Sequence, residues 1–391
     1  MLQPKEFMSR WRRLLRRGGH GTLPVADLMQ FEPLARRRLS QMAYDYVRSG
    51  GGDEITMREN RLAFERLRLA PNVLQDVSQL NTRVSLFGSE LDHPILLAPI
   101  AYHRLYHSEG ELATARGASA TGAAMVISSF TTTAIEEIAR STRAPIWFQL
   151  YVQRDRAFTK DMVQRAVAAG CKAVCLTVDT PVLGCRYGQL SFGLPSHMEC
   201  VHLRGLNLKS SAPTHSMGGI YDPIFDPSFN WRDLDWLRSI CGVPVLLKGL
   251  LSAEDGKRAI DYGVDGIIVS NHGGRNLDLV PATIDALPSV VEAVAGRIPV
   301  LLDSGIRRGT DVLMALALGA KAVFVGRPYI YGLALGGAAG VERVISILRS
   351  EFERAMALTG RRSIAEIDAS VLWQPEGTGK ERAARTPAAG A

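Results

Sequence analysis

With 391 residues, 46% apolar and 22% charged, the chain has the composition of a globular protein of one large or two ordinary domains, and not of a disordered or fibrous one. The net charge of +7 sits at one end: residues 1–38 carry nine basic and three acidic side chains, so the remainder is nearly neutral and nucleic-acid binding by the body is disfavoured. Five scattered cysteines (Cys171, Cys175, Cys185, Cys200, Cys241) with no Cys-x-x-Cys pair argue against a disulfide framework and against zinc. The sequence reads as having neither a signal-peptide core nor an apolar run able to span a bilayer, so a cytoplasmic setting is expected.

Residues 1–22 are polar and Arg-rich. Phe7, Met8, Trp11, Leu14 and Leu15 alternate with Arg10, Arg12, Arg13, Arg16 and Arg17, and on a helix the apolar side chains share one side. Two readings stand: a helix making peripheral contact with a membrane or a partner, and a solvated, fraying terminus. Residues 31–48 read as one helix, with Tyr44-Asp45-Tyr46 near its end and Ser49-Gly50-Gly51-Gly52 as its breaker. A second short helix is expected around residues 54–65.

From residue 95 the chain falls into repeated units. Each opens with a short Val/Ile/Leu-rich run: 94–98, 124–127, 146–148, 173–176, 243–247, 266–269, 298–302 and 322–325. Most are followed by an Ala-rich amphipathic helix, as over 109–121, 161–169, 253–262 and 309–318. Continuous apolar strands are buried on both faces, the pattern of a parallel sheet. Eight strand–helix units in about 250 residues predict an α/β protein with a (β/α)8 barrel. A doubly wound sheet also alternates strands and helices, but no Gly-x-Gly-x-x-Gly follows any strand and the count stops at eight. The fourth and fifth runs are separated by a Gly/Ser/Pro-containing excursion, 188–228, read as a mobile lid. The expected organisation is a flexible basic extension (1–22), a barrel domain (23–373) preceded by helices, and a disordered tail (374–391).

In such barrels the site lies where the strands end. Those ends offer Pro99-Ile100-Ala101, Ser128-Ser129, Gln149-Leu-Tyr151, Thr177-Val-Asp179, Lys248, Ser270-Asn-His272, Asp303-Ser304-Gly305 and Gly326-Arg327. The stretch Gly266–Arg275 carries a His, suited to take a proton near neutral pH, and an Arg three residues later whose planar fork grips a carboxylate. After the seventh and eighth strands, Asp303-Ser-Gly-Ile-Arg307 and Gly326-Arg327 stand where barrels commonly bind phosphate. An acid beside such a site suits the hydroxyls of a phosphorylated polyol, as in FMN. Lys248 would then lie beneath the ring system and stabilise a reduced, anionic flavin.

At Phe148-Gln-Leu-Tyr-Val152, Leu176-Thr-Val-Asp-Thr-Pro181, Leu247-Lys-Gly249, Ile267–Arg275, Asp303–Asp311 and Val325-Gly-Arg-Pro328 the chain resembles the FMN-dependent 2-hydroxy-acid oxidases and dehydrogenases, over about Leu39 to Leu372. The resemblance implies FMN as cofactor and oxidation of a small (S)-2-hydroxy acid to the 2-oxo acid. It implies His272 as base, Asp179 as its orienting acid, Arg275 and Arg186 as carboxylate clamps, and Tyr46 and Tyr151 as hydroxyls that orient substrate. Flavin contacts would come from Pro99, Ile100, Ala101, Ser128, Gln149, Thr177, Lys248, Ser270, Asp303, Ser304, Gly305, Arg307, Gly326 and Arg327. Asp179 has a blander reading as a structural partner of Arg186, the tyrosines as packing residues, and Gln149 as a strand cap.

Oxygen is the expected acceptor, giving hydrogen peroxide; the alternatives are a dehydrogenase serving a quinone or protein carrier, and a different FMN-barrel reaction. The two clamps argue against the last, because they imply a free carboxylate. A homotetramer is expected from the same resemblance. Four positions depart from the common pattern: Ile100 for a Thr frequent in plant-type members, Phe130 for a Trp, Ala101 in place of a roomier Gly, and a stretch after Arg186 that is shorter and lacks the usual charged run.

Overall fold

The eight apolar runs become eight short parallel strands: β1 Ile95–Leu97, β2 Met125–Ile127, β3 Ile146–Leu150, β4 Val174–Thr177, β5 Val245–Leu250, β6 Gly266–Val269, β7 Val300–Leu302 and β8 Val323–Val325. They close in sequence order, with β8 paired to β1. The computed structural model describes residues 25–189, 193–195, 198–204, 220–222 and 224–373. The N-terminal extension, the tail and much of the excursion over 188–228 therefore lie outside the described residues.

Side chains alternate along a strand, so every second residue points into the barrel. The inward set in the lower half is apolar: Leu96, Val126, Trp147, Cys175, Leu246, Ile268, Leu301 and Phe324 pack as one buried cluster. A small antiparallel hairpin, Val84–Leu86 with Ser89–Leu91, closes the N-terminal mouth. Leu86 and Leu91 join that cluster, and the Phe87 ring meets Trp147 edge-on at 5.3 Å. The outward-facing strand residues, among them Leu97, Ile127, Phe148 and Leu176, pack in a second cluster with the apolar faces of the surrounding helices.

Helix ends follow local capping rules, which corrects two boundaries. The expected 31–48 helix is two, Phe31–Arg36 and Gln41–Arg48, because the Ser40 hydroxyl accepts from Ala43 N and starts the second afresh. The helix expected over 161–169 begins at Arg156, where Asp155 accepts from Phe158 N at 2.9 Å. One segment was passed over: the helix Arg327–Leu358 is long and apolar enough, by length and composition, to cross a membrane. Its backbone leaves helical geometry at Gly336 and Gly337, and 67% of the apolar window is buried inside the protein, so it serves as a core element.

Two glycine positions shape the upper rim. The Ser49–Gly52 run does more than end a helix. A Cβ on Gly51 would stand 2.5 Å from the Asn276 carbonyl, and Gly51 N donates to Gly274 O at 2.7 Å. The N-terminal segment is thereby laid directly on the loop after β6. Gly249 lies in a register shift of β5 with φ +117, and a Cβ there would meet the Asp179 Cβ at 2.6 Å.

Candidate active site

Two residues above each apolar inward position, the same strands present Ala98, Ser128, Gln149, Thr177, Lys248, Ser270, Asp303 and Gly326. All but Ser270 line one cavity of about 470 Å³ at the C-terminal mouth. Pro99, Ile100, Ala101, Tyr46, Tyr151, Arg186, His272, Arg275, Ser304, Gly305, Arg307 and Arg327 line it too. Ser270 and Asp179 stand behind it, bonded to residues that do. Lys248 and Gln149 were expected at strand ends; both lie within strands, since β5 runs on to Leu250 and β3 to Leu150.

His272 follows β6 with φ +59. The Ser270 hydroxyl accepts from its backbone N–H at 3.1 Å, and Asn271 next to it exchanges side-chain amide bonds with Asn60 of the helix Ile55–Arg66. The imidazole Nδ1 lies 2.9 Å from Asp179 Oδ1, and Nε2 lies 3.4 Å from the Tyr151 hydroxyl. Burial lowers the His272 pKa, Asp179 pulls it up, and Lys248 and Arg186 push it down; the balance is below its ordinary value. Burial would raise the Asp179 carboxyl, but His272 and Lys248 hold it below the usual carboxylate range. The resting pair is a neutral imidazole beside a carboxylate. Nδ1–H then donates to Asp179, and Nε2 keeps its lone pair for the cavity. Burial and Asp179 raise the Tyr151 phenol, which stays protonated, with its hydroxyl beside Nε2 on the cavity side.

The two arginines flank this base. Arg275 Nη1 donates to the carbonyls of Tyr46 and Ser49, each at 2.8 Å, and its guanidinium lies 5.2 Å from the Tyr46 ring centre. Arg186 donates from Nε to Arg275 O at 2.8 Å and from Nη2 to Asn276 Oδ1 at 2.9 Å. Among the described residues its hydrogen bonds go to these and not to Asp179, which acts on Arg186 only through its charge. Burial and then the neighbouring Arg275 lower the Arg186 pKa to about 10. Two cations held side by side in a buried mouth favour an anion between them.

The opposite side of the cavity fits FMN by its donor set. Lys248 Nζ bonds Asp303 Oδ2 and Ser270 Oγ, both at 2.7 Å, so Asp303 is an ion-pair partner, and its Oδ1 accepts from the Ser304 hydroxyl at 2.7 Å. Burial would lower the Lys248 pKa, yet Asp303 and Asp179 raise it, and it stays charged. Gln149 Oε1 accepts from Ser128 and Ser129 N while its amide donates to Thr177, a fixed polar strip along the wall; Gln149 does more than cap β3. Arg307 and Arg327 are half-buried, and neither makes an ion pair among the described residues. Burial, then Arg275, lowers the Arg327 pKa to about 9. Such uncompensated positive charge suits a phosphate. Arg327 is held by the carbonyls of Val47, Gly273 and Ser49, so the N-terminal segment serves both ends of the site.

Several contributors escaped the sequence reading. Asn276 Nδ2 donates to Asp179 O and Thr180 Oγ1 and lies 3.3 Å from His272 Nδ1, linking the base, its acid and Arg186. Its only sequence signal is adjacency to Arg275. Gln189 donates to Tyr46 O and Ser49 Oγ. Rings of Tyr46, Tyr102, Phe130, Tyr151 and Phe225 run in contact, with centres 5.0–6.1 Å apart, and wall the mouth. His103, just beyond β1, is buried with Nδ1 3.0 Å from Thr114 Oγ1.

Known proteins resemble this chain over most of its length. The family described as FMN-dependent dehydrogenase matches residues 35–374. An L-lactate oxidase of Nostoc sp. (strain PCC 7120 / SAG 25.82 / UTEX 2576) is 48% identical over 88% of this chain and 97% of its own. Glycolate oxidase 3 of Arabidopsis thaliana is 47% identical over 88% of this chain and 95% of its own. Among solved structures, a mandelate oxidase superposes with a TM-score of 0.80 at 38% identity, covering 89% of this chain and 98% of that one. A chimera of (S)-mandelate dehydrogenase superposes with a TM-score of 0.83 at 36% identity, covering 89% and 99%. The chain belongs to the FMN-dependent dehydrogenase family, and FMN is its cofactor.

Proposed function

We propose that this chain oxidises (S)-2-hydroxy acids to 2-oxo acids, with oxygen as electron acceptor and hydrogen peroxide as second product. The observation that carries the reading is the line Asp179–His272–Tyr151, with separations of 2.9 and 3.4 Å, in one cavity with Arg186 and Arg275. The arginines bind the substrate carboxylate. Tyr46 and Tyr151 orient the adjacent hydroxyl. His272 Nε2 takes one proton, and Asp179 stabilises the imidazolium that forms. When bound, FMN supplies the two-electron acceptor that no side chain here provides. Lys248 keeps a positive charge beside that group, and Arg307 and Arg327 hold its phosphate. The oxidases among the relatives, named for lactate, glycolate and mandelate, support the substrate class.

Anaerobic mixing of the yellow protein with glycolate, (S)-lactate and (S)-mandelate should bleach the flavin, and admitted air should restore the colour rapidly with peroxide. Bleaching with sluggish return in air, hastened by a quinone, would assign it to the dehydrogenases. Failure of every 2-hydroxy acid to bleach it would overturn the reading. The homotetramer, on family resemblance, and the cytoplasmic setting, on cysteine usage, belong to the same proposal, and light scattering of the holoprotein reads the former. Sedimentation with anionic vesicles reads any membrane contact by residues 1–22.

A further inference from the structure

Asp222 has no part in the chemistry above, yet it lines the same cavity and is only 9% exposed. It shares a turn with Phe225, whose N–H donates to the Asp222 carbonyl at 3.3 Å. The Phe225 ring packs on Tyr151 at 5.0 Å and on Phe130 at 6.0 Å, so this turn forms the cavity wall beyond the base. Asp222 Oδ1 accepts from Ile224 N at 2.9 Å, an ordinary local turn bond. That is the one hydrogen bond of its side chain among the described residues.

The other acids at the site are committed. Asp303 is paired with Lys248 and Asp179 with His272. Asp222 alone has no cation among the described residues. A buried carboxyl without a cation is costly, and a ligand that supplies a donor removes the cost. The cavity is thus polarised, with Arg186 and Arg275 beside the base and an acid on the Phe225 side. A substrate gripped by the arginines, with its carbinol at His272, sends its side chain into the remaining space. On the wall around Phe225 stand Phe130, whose ring it touches, and Ile224 and Asp222 of its own turn, all lining the cavity.

Resting on the proposed 2-hydroxy-acid oxidation, we propose that Asp222 is a specificity-determining residue. It selects (S)-2-hydroxy acids whose side chain ends in a hydrogen-bond donor, an ammonium or a hydroxyl, and disfavours those ending in a second carboxylate. The apolar rings accept the methylenes between, and like-charge repulsion rejects the diacid. Burial raises the carboxyl above its ordinary value, the direction expected where no cation stands near.

A matched five-carbon series tests this: 2-hydroxypentanoate, 2,5-dihydroxypentanoate, 5-amino-2-hydroxypentanoate and 2-hydroxyglutarate, each as the S form. Anaerobic flavin bleaching is followed in the wild-type holoprotein and in Asp222→Asn, with glycolate and (S)-lactate alongside. The wild type should prefer the ammonium-ended or hydroxyl-ended acid to 2-hydroxypentanoate by about 10–100-fold in kcat/KM and should use 2-hydroxyglutarate least. Asp222→Asn should shrink the gap between ammonium and carboxylate ends at least tenfold. A wild type that uses 2-hydroxyglutarate as well as the ammonium-ended acid overturns the assignment, whether or not the variant folds. So does an unchanged ranking in Asp222→Asn. If no acid bleaches the flavin, glycolate and (S)-lactate included, the proposed function itself fails and this assignment with it.

Discussion

The two ends of the barrel are built from the same eight strands and differ by two residues on each. At the lower level Leu246, Ile268 and Leu301 face inward; one step up the same positions are Lys248, Ser270 and Asp303. Below, the interior is dry, filled with rings and branched chains and stoppered by the hairpin at Phe87. Above, a buried ammonium, three carboxylates and four arginines are gathered in and around one mouth. The lower level tolerates no void, because close packing is its source of stability. The upper level carries charges that packing alone would expel, and it holds them by pairing each with another or by leaving it for a ligand. Rigidity and reactivity are therefore stacked on the same strands, and substitutions at the two levels should fail in different ways.

The largest effect is expected from His272→Ala. Reduction of the flavin by substrate should slow about 10²–10⁴-fold, the range for loss of a general base, with FMN still bound and the thermal midpoint little changed. Near-normal bleaching in that variant would remove His272 from the chemistry. Lys248→Met, at the upper level, should cost both stability and cofactor retention. It strands Asp303 as a buried, unpaired carboxylate, at about 3–5 kcal/mol, and weakens FMN retention. Denaturant titration and flavin fluorescence on dilution read the two losses separately.

Leu246→Ala, two residues below on the same strand, should cost about 2–5 kcal/mol of stability, yet leave kcat/KM per bound FMN intact. A selective loss of turnover there would contradict the division into levels. The smallest effect is expected from Arg275→Lys, which keeps the charge but loses the planar fork. A fall of about 10–100-fold in kcat/KM, carried mainly by KM, is the expected steady-state result.

The barrel was legible because its signals are local. Apolar runs mark strands buried on both faces, and the polar residue that stops each run falls on the rim by strand alternation. That is why Gln149, Thr177, Ser270 and Asp303 could be named before any contact was known. What stayed hidden depends on segments distant in sequence. Asn276 reads as an unremarkable loop residue until Asp179 and Arg186 are placed against it, across 97 and 90 residues. Gly51 reads as a helix breaker until the Asn276 carbonyl is found where its Cβ would be. Asp222 lies in an excursion without periodicity, so no pattern could assign its face. The break at Ser40 was readable from capping chemistry, but the apolar positions on either side obscured it.

Anaerobic reduction of the wild-type flavin by (S)-lactate as a function of pH bears most directly on the neutral His272 backed by Asp179. The folded pKa of His272 lies below its ordinary value of 6.5, so the imidazole takes up its proton at a lower pH than an ordinary histidine does. The rate constant should therefore fall only as the pH drops through the folded pKa, with its half-maximal point below pH 6.5. A rate that climbs steeply only above pH 7, or that falls with rising pH across this range, would contradict a neutral histidine base.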